Sequence, residues 1–107
     1  MSVTIRLVLV TAPDVALAET LARGLVEAKL AACVNVVPGL TSFYSWEGTL
    51  HKDAEVLLLI KTTTGALPEL MRFVRERHPA KVPEIVSLPI DAGDPLYLKW
   101  LASAVAS

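Results

Sequence analysis

The chain has 107 residues, of which 53% are apolar, and this length fits one domain, residues 1–107, rather than two. The net charge of −1 and the pI of about 6.1 give no basic excess, which argues against a nucleic-acid-binding protein. Cys33 is the single cysteine, so no disulfide forms within the chain, and a reducing compartment, the cytoplasm, is expected.

The apolar residues are not arranged as a membrane segment. The first apolar run, residues 7–10, is broken by Thr11, Pro13 and Asp14, and it is shorter than the roughly 7–15 residues of a signal-peptide core. No run reaches the roughly 18 apolar residues of a membrane span. Since a domain of this size has little interior, the surplus of apolar side chains predicts an exposed apolar patch and self-association.

A strand and a helix come first in the predicted order of elements. Residues 3–10 alternate at first and then become wholly apolar, as in a central strand. Pro13 and Asp14 suit the first turn of a helix. The apolar stripe of this helix recurs at helical spacing: Leu17, Leu21, Leu25 and Ala28. Gly24 in mid-helix costs about 1 kcal/mol relative to alanine, and a close backbone contact is the expected reason.

A long hairpin follows the first helix. Residues 30–46 are predicted to be extended, with a bulge at Pro38-Gly39, and Glu47-Gly48 forms a turn into a strand over residues 49–63. The first arm would span roughly 55 Å at about 3.3 Å per residue, whereas a domain of this size is about 35 Å across. The hairpin must therefore project, and sister copies in a closed ring are expected to cover its aromatic tip.

The second half of the chain is predicted to contain a helix, a strand and a final helix. The helix has Pro68 in its first turn and ends at His78-Pro79, because a residue before proline avoids helical geometry. A short strand covers residues 85–90, and Asp94-Pro95 starts the last helix. The order strand-helix-strand-strand-helix-strand-helix predicts an α+β ferredoxin-like sandwich with an antiparallel sheet, a long hairpin and an extra C-terminal helix.

Proline positions indicate which strands lie at the edges of this sheet. Proline inside a sheet is confined to edge strands, first positions and bulges. Pro38 falls in the second strand, and Pro83 and Pro89 flank or enter the fourth. The first and third strands are therefore expected at the centre.

Three stretches carry a family resemblance. They are KLAACVNVVPGLTSFYSWEG (residues 29–48), LLLIKTT (57–63) and RHPAKVPEIVSLPI (77–90), and in this order they resemble the CutA family of divalent-cation tolerance proteins. The resemblance implies a homotrimer of ferredoxin-like subunits, built like the PII signalling proteins, with the hairpins against neighbouring subunits. It also implies a role in tolerance of copper and other divalent ions, without enzymatic activity.

The resemblance further implies a set of polar positions near clefts between subunits: Cys33, Tyr44, Trp46, Lys61, His78 and Glu84. Cys33, His78 and Glu84 would offer ligands to copper or another divalent cation. Such a site would be weak and shared between subunits, because the chain has no CxxC or HxxxH motif. Tyr44, Trp46, Lys61 and Glu84 would instead line a cleft for a small molecule or anion, as in a PII-like sensor. No obligatory cofactor is expected.

Each candidate also has a structural explanation that needs no ligand. Cys33 can be a small buried residue, and His78 can satisfy carbonyls in the last turn of its helix. Lys61 can form an ion pair with Glu84 across a subunit boundary. His51 is expected to be solvated. No nucleophile motif, phosphate loop or carboxylate pair points to an enzyme.

One departure from the family pattern lies beside His78. Family members commonly read His-Pro-Tyr-Glu-Val-Pro-Glu, and this chain has Ala80 and Lys81 in place of the tyrosine and the first glutamate. If that tyrosine lines the cleft of family members, the cleft of this chain is wider and more positive than theirs.

Overall fold

The computed structural model describes residues 4–106, and its elements follow the predicted order. The strands are β1 (Ile5–Ala12), β2 (Cys33–Trp46), β3 (Thr49–Thr63) and β4 (Ile85–Pro89), and the helices are α1 (Val15–Glu27), α2 (Leu67–Arg77) and α3 (Pro95–Ala104). The antiparallel sheet has the order β2-β3-β1-β4. This confirms the predicted ferredoxin-like fold, with β1 and β3 central and β2 and β4 at the edges.

Three strands differ at their boundaries from the sequence-based expectation. The second begins at Cys33 rather than at residue 30, because Leu30 and Ala31 still donate backbone hydrogen bonds to Leu25 at the end of α1. The predicted first strand begins at Val3, which lies outside the described residues, and the observed β1 runs on to Ala12. It continues because Thr11 and Ala12 still pair with β3. The final strand stops at Pro89, one residue earlier than expected.

Local sequence signals fix the ends of the helices. The Asp14 carboxylate accepts a hydrogen bond of 2.8 Å from the Leu17 N–H at the start of α1, and Asp94 caps α3 in the same way through Tyr97. Such caps satisfy backbone donors that have no partner inside a helix. The α2 helix ends at Arg77, and its C-cap, His78, has an extended backbone before proline, as predicted.

Gly24 is needed for the packing of α1 against α2. A β-carbon at this position would lie 2.6 Å from Cζ of Phe73, which is well inside van der Waals contact. The sequence predicted a close contact with backbone at Gly24, whereas the contact observed is with a side chain of α2.

The sheet has one covered face and one open face. Alternate residues of the central strands point towards the helices and form the main core, among them Val8, Val10, Leu58 and Ile60, all fully buried. A second, smaller cluster joins α3 to one end of the sheet through Ile5, Ala32, Ala66, Leu101 and Val105.

The opposite face of the sheet carries an apolar surface that we call the outer face. Strand pairing places the following six side chains on it: Leu7, Leu9, Leu57, Leu59, Val86 and Leu88. Val86 and Leu88 are 46% and 45% exposed, and the four leucines of β1 and β3 are half-buried. Helices α1 and α2 cover the other face, and α3 covers the outer face only at its end near Ile5, so an apolar stripe across three strands remains open.

The hairpin extends beyond the rest of the sheet. Residues 56–63 of β3 pair with β1, whereas residues 49–55 pair with β2 alone. This two-stranded part is about 24 Å long at 3.4 Å per residue, and the molecule measures 46 × 25 × 23 Å. Pro38-Gly39 forms the predicted bulge, with Gly39 at φ +86°. Glu47 and Gly48 form the predicted turn, with both φ angles positive.

Candidate functional site

A cleft of about 580 Å³ lies between the projecting part of the hairpin and the loop that joins α2 to β4. We call it the hairpin cleft. Its functional side chains come from the hairpin and from the loop: Tyr44, Trp46, His51, Glu55, His78, Lys81 and Glu84. The hairpin contributes because β2 and β3 extend beyond the end of β1. The loop beside the end of β1 therefore faces the projecting part of the hairpin. The volume lies within the range of small-molecule sites.

Tyr44 and His51 form one wall of the hairpin cleft. They are directly opposite each other in the β2–β3 ladder, and their rings stack with centroids 5.0 Å apart and an interplanar angle of 13°. The Tyr44 hydroxyl donates a hydrogen bond of 2.5 Å to the Asp53 carboxylate. This hydrogen bond, followed by partial desolvation and by the charges of Asp53 and Glu55, raises the pKa of the Tyr44 phenol above its ordinary value.

His78 is held by main-chain groups on both sides of its ring. Nε2 lies 2.8 Å from the carbonyl oxygen of Thr11 on β1, and Nδ1 lies 3.1 Å from the backbone nitrogen of Ala80. A carbonyl only accepts and an amide N–H only donates, so the ring is the neutral tautomer with its proton on Nε2. His78 does bond a backbone carbonyl, as the structural explanation expected, but this carbonyl belongs to Thr11 of β1 and not to the last turn of α2.

Cys33 and Lys61 lie at the other end of the hairpin. They are paired across β2 and β3 at the base of the sheet, and both are half-buried. The Lys61 ammonium donates a hydrogen bond to the Asn35 side-chain oxygen. Burial and the neighbouring Cys33 raise the pKa of Tyr97 on α3. The hairpin cleft therefore contains His78, Glu84, Tyr44 and Trp46, but neither Cys33 nor Lys61.

No three metal-ligating side chains meet within residues 4–106. Because Cys33 is separated from His78 and Glu84 along the hairpin, the predicted metal ligands could meet only if a second subunit supplied one of them. The predicted ion pair of Lys61 with Glu84 would also form across a subunit boundary, and it stays a prediction.

Sequence reasoning missed three side chains of this region. His51, expected in solvent, is half-buried against Tyr44, and Asp53 and Glu55 follow it along the same strand face. The signal was present in the two-residue turn at Glu47-Gly48. Counting outward from such a turn pairs Trp46 with Thr49 and places Tyr44 opposite His51.

Comparison with known proteins gives one family. The family model of the CutA1 divalent ion tolerance protein matches residues 6–104. The chain is 56% identical to a divalent-cation tolerance protein CutA of Thermus thermophilus over 94 residues, which are 88% of this chain and 91% of that protein. It is 53% identical over 96 residues to a CutA homologue of Xenopus laevis, covering 90% of this chain.

Solved structures agree with this match. The Thermus thermophilus protein superposes with a TM-score of 0.94 at 52% identity, over 95% of this chain and 99% of that one. CutA1 of Oryza sativa superposes with a TM-score of 0.95 at 43% identity, over 98% and 96% of the two chains.

The relatives differ in length and in the compartment that their names give. The chain spans 64% of the Xenopus laevis protein and 55% of the mouse protein. One related structure is described as a periplasmic protein of Archaeoglobus fulgidus, and one relative as a chloroplastic protein of Arabidopsis thaliana. Across residues 4–106, none of the helices has the length and apolar character needed to cross a membrane.

The matched region covers nearly every element of the fold, and its description names ion tolerance rather than a reaction, in line with the prediction that the chain is not an enzyme. The chain belongs to the CutA1 divalent ion tolerance protein family.

Proposed function

We propose that the protein works as a homotrimer in divalent-cation tolerance, and that the trimer binds copper or another divalent ion weakly at clefts between its subunits. The open apolar outer face is the observation that carries the assembly. Val86 and Leu88 are nearly half exposed and continue an apolar stripe through Leu7 and Leu9. Apolar area of this kind is stabilised when it is buried against another protein surface.

The hairpin favours a ring over an open chain of subunits. A free two-stranded ribbon is marginally stable in water, so the projecting part gains from contact with a neighbour. Its β2 edge and the β4 edge lie on opposite sides of the sheet. Contacts between unlike edges are heterologous, and they close without free ends only in a cyclic assembly. The family resemblance supplies the number of subunits, three.

The proposed metal binding rests on Cys33, His78 and Glu84. Thiolate, imidazole and carboxylate groups together suit copper and similar divalent ions. Because Nδ1 of His78 already accepts the Ala80 N–H, a metal at that nitrogen would have to displace a hydrogen bond. This cost supports weak binding rather than a storage site.

The assembly is tested by sedimentation of a matched pair of variants. The wild type is expected at three times the 11.5 kDa subunit mass. Val86→Glu places a charge on the outer face and is expected to yield smaller species. Val15→Glu, a similarly exposed valine on α1 at 41% against 46%, is expected to leave the trimer intact. A folded wild-type monomer at micromolar concentration would refute the assembly.

Copper binding is tested by calorimetric titration of the trimer. Cys33→Ser and Glu84→Gln are each expected to lower the affinity for Cu(II) or the number of ions bound, and Glu69→Gln, an exposed carboxylate on α2, is the control. Unchanged stoichiometry and affinity in both variants would remove these residues as ligands.

The hairpin cleft also supports an alternative function, small-molecule sensing in the manner of PII proteins. The observation in its favour is the 580 Å³ volume with a rigid aromatic wall. Native mass spectrometry of trimers taken directly from cells tests it. Trimers with an organic ligand would support sensing, whereas bare trimers with saturable copper uptake would favour the metal function.

The proposed compartment is the cytoplasm. Its support is the single, unpaired Cys33 among 107 residues, which fits a reducing environment. Fractionation of cells followed by immunodetection tests this, and recovery of the protein from an extracytoplasmic fraction would contradict it.

A further inference from the structure

We propose that the hairpin cleft takes an organic cation, an ammonium or amidinium group on an apolar body. This inference deepens the small-molecule function proposed above and rests on it. Two features of the cleft carry it, namely the aromatic wall and the carboxylates that face the same space without a cationic partner.

The aromatic wall is already organised for binding. Tyr44 is fixed between the ring of His51 and the carboxylate of Asp53, and Trp46 follows on the same face of β2. A cation is attracted to the face of an aromatic ring when it lies within about 6 Å of the centroid. A ring held in place before binding loses less conformational entropy when the ligand arrives.

The carboxylates set the sign of the ligand charge. Glu55 is half-buried in the cleft wall and Glu84 lies at its rim, and within residues 4–106 neither takes part in an ion pair. A partly desolvated carboxylate gains from a cation that replaces its lost hydration. Lys81 is the only Lys or Arg among the described residues that line the cleft.

A second lysine near the hairpin does not balance these charges. Lys52 is not among the described residues that line the cleft, and its ammonium lies 5.8 Å from the centroid of the Phe43 ring. The raised pKa of Tyr44 agrees with a negative local potential, since the charges of Asp53 and Glu55 contribute to it after the hydrogen bond and desolvation. Negative charge therefore exceeds positive charge where a ligand would sit.

The test uses three probes of nearly equal shape and different charge on the intact wild-type protein: benzamidinium, neutral benzamide and anionic benzoate. Binding is followed by Trp fluorescence, with Trp46→Phe to separate Trp46 from Trp100. Benzamidinium is expected to bind at least about fivefold more tightly than benzamide, and benzoate is expected to bind least. Equal binding of benzamidinium and benzamide, or preference for benzoate, would overturn the proposal.

Charge variants then assign the preference to the cleft. Glu55→Gln and Glu84→Gln are each expected to lower the affinity for benzamidinium about two- to fivefold, the range of an exposed ion pair. The affinity for benzamide is expected to stay the same. Lys81→Gln is expected to raise the affinity for benzamidinium, and Glu69→Gln on α2 is the control. A benzamidinium preference that survives both glutamate variants unchanged would also overturn the proposal.

The same samples separate this inference from the function on which it rests. Sedimentation reports the trimer and native mass spectrometry reports any cellular ligand. A trimer that carries an anionic or neutral cellular ligand would uphold small-molecule sensing and refute the organic cation. Bare trimers that still discriminate the probes by charge would refute sensing while upholding the cation selectivity of the cleft.

Discussion

Gly24 of α1 lies directly against the ring of Phe73 on α2. A β-carbon at position 24 would stand 2.6 Å from Cζ of this ring, and the guanidinium of Arg77 covers the ring at 3.6 Å from its centroid. Arg77 also donates a hydrogen bond to the Phe73 carbonyl oxygen. The ring is thus held between a helix backbone and a stacked side chain.

We expect Gly24→Ala to destabilise the protein by about 1 kcal/mol. Alanine gains roughly 1 kcal/mol over glycine in a helix, but overpacking at such a contact costs about 1–3 kcal/mol. Urea denaturation measures the difference. In a Phe73→Leu background the clash is relieved, so the same substitution is expected to stabilise. Equal effects in both backgrounds would mean that the ring moves aside freely.

Replacing Glu47 in the Glu47-Gly48 turn by asparagine is expected to stabilise the protein. Both residues have positive φ, 50° and 79°, which is the pattern of a type I′ turn and favours Asn-Gly. Because Glu47 bears the cost of a left-handed conformation, Glu47→Asn should stabilise by up to about 1 kcal/mol. Gly48→Ala is the opposite control and is expected to destabilise. A loss of stability in Glu47→Asn would contradict the turn assignment.

These local features show why the fold was predictable from the sequence. Pro38, Pro83 and Pro89 indicate that the second and fourth strands lie at the edges of the sheet, and Asp14 and Asp94 mark the starts of helices. Each of these signals depends only on residues close to it in the chain. The contact between Gly24 and Phe73 could not be read in the same way. It joins two helices far apart in the chain, and only the packing of α1 against α2 defines it.

Tyr44 gives a pH-dependent prediction. Its hydrogen bond to Asp53 is the largest cause of a pKa raised above the ordinary 10.0. The folded protein therefore holds the phenolic proton more tightly than the unfolded chain does. The resulting stabilisation is complete below the unfolded pKa and is lost as the pH rises through the folded one.

Near-ultraviolet titration of tyrosinate absorbance measures this shift. The chain has 2 tyrosines, so a Tyr97→Phe background isolates Tyr44. In that background, Asp53→Asn is expected to bring the pKa of Tyr44 down towards its ordinary value. Asp91→Asn, on the loop before α3, is the control. The same pKa with and without the Asp53 carboxylate would show that the hydrogen bond does not form in solution.

The candidate site was predictable only in part, because its members come from separate elements. His78, Glu84, Tyr44 and Trp46 do share one cleft. Cys33 lies at the far end of the hairpin, because it is separated from Trp46 by the whole length of the extended strand β2. Sequence motifs give the identity of such residues, and the register of the long hairpin decides which of them meet.

His78 provides a test that separates a structural role from a metal-binding role. His78→Ala leaves the Thr11 carbonyl and the Ala80 N–H without their side-chain partner. Loss of such partners costs about 1–3 kcal/mol when the groups are buried, and a value near the lower end is expected here because the site is partly open. His51→Ala, another half-buried imidazole, is expected to cost less, because His51 contributes a ring stack and not two main-chain hydrogen bonds.

The comparison needs thermal midpoints and Cu(II) affinities from the same trimers. If His78 only ties the 78–84 loop to β1, His78→Ala should lower the midpoint and leave copper affinity unchanged at temperatures where the variant is folded. If it is also a ligand, affinity should fall as well. A metal at Nδ1 of His78 must displace the Ala80 N–H. Because Ala80→Pro removes that donor, this variant should bind Cu(II) more tightly than the wild type does. Unchanged affinity in Ala80→Pro would exclude Nδ1 as a ligand.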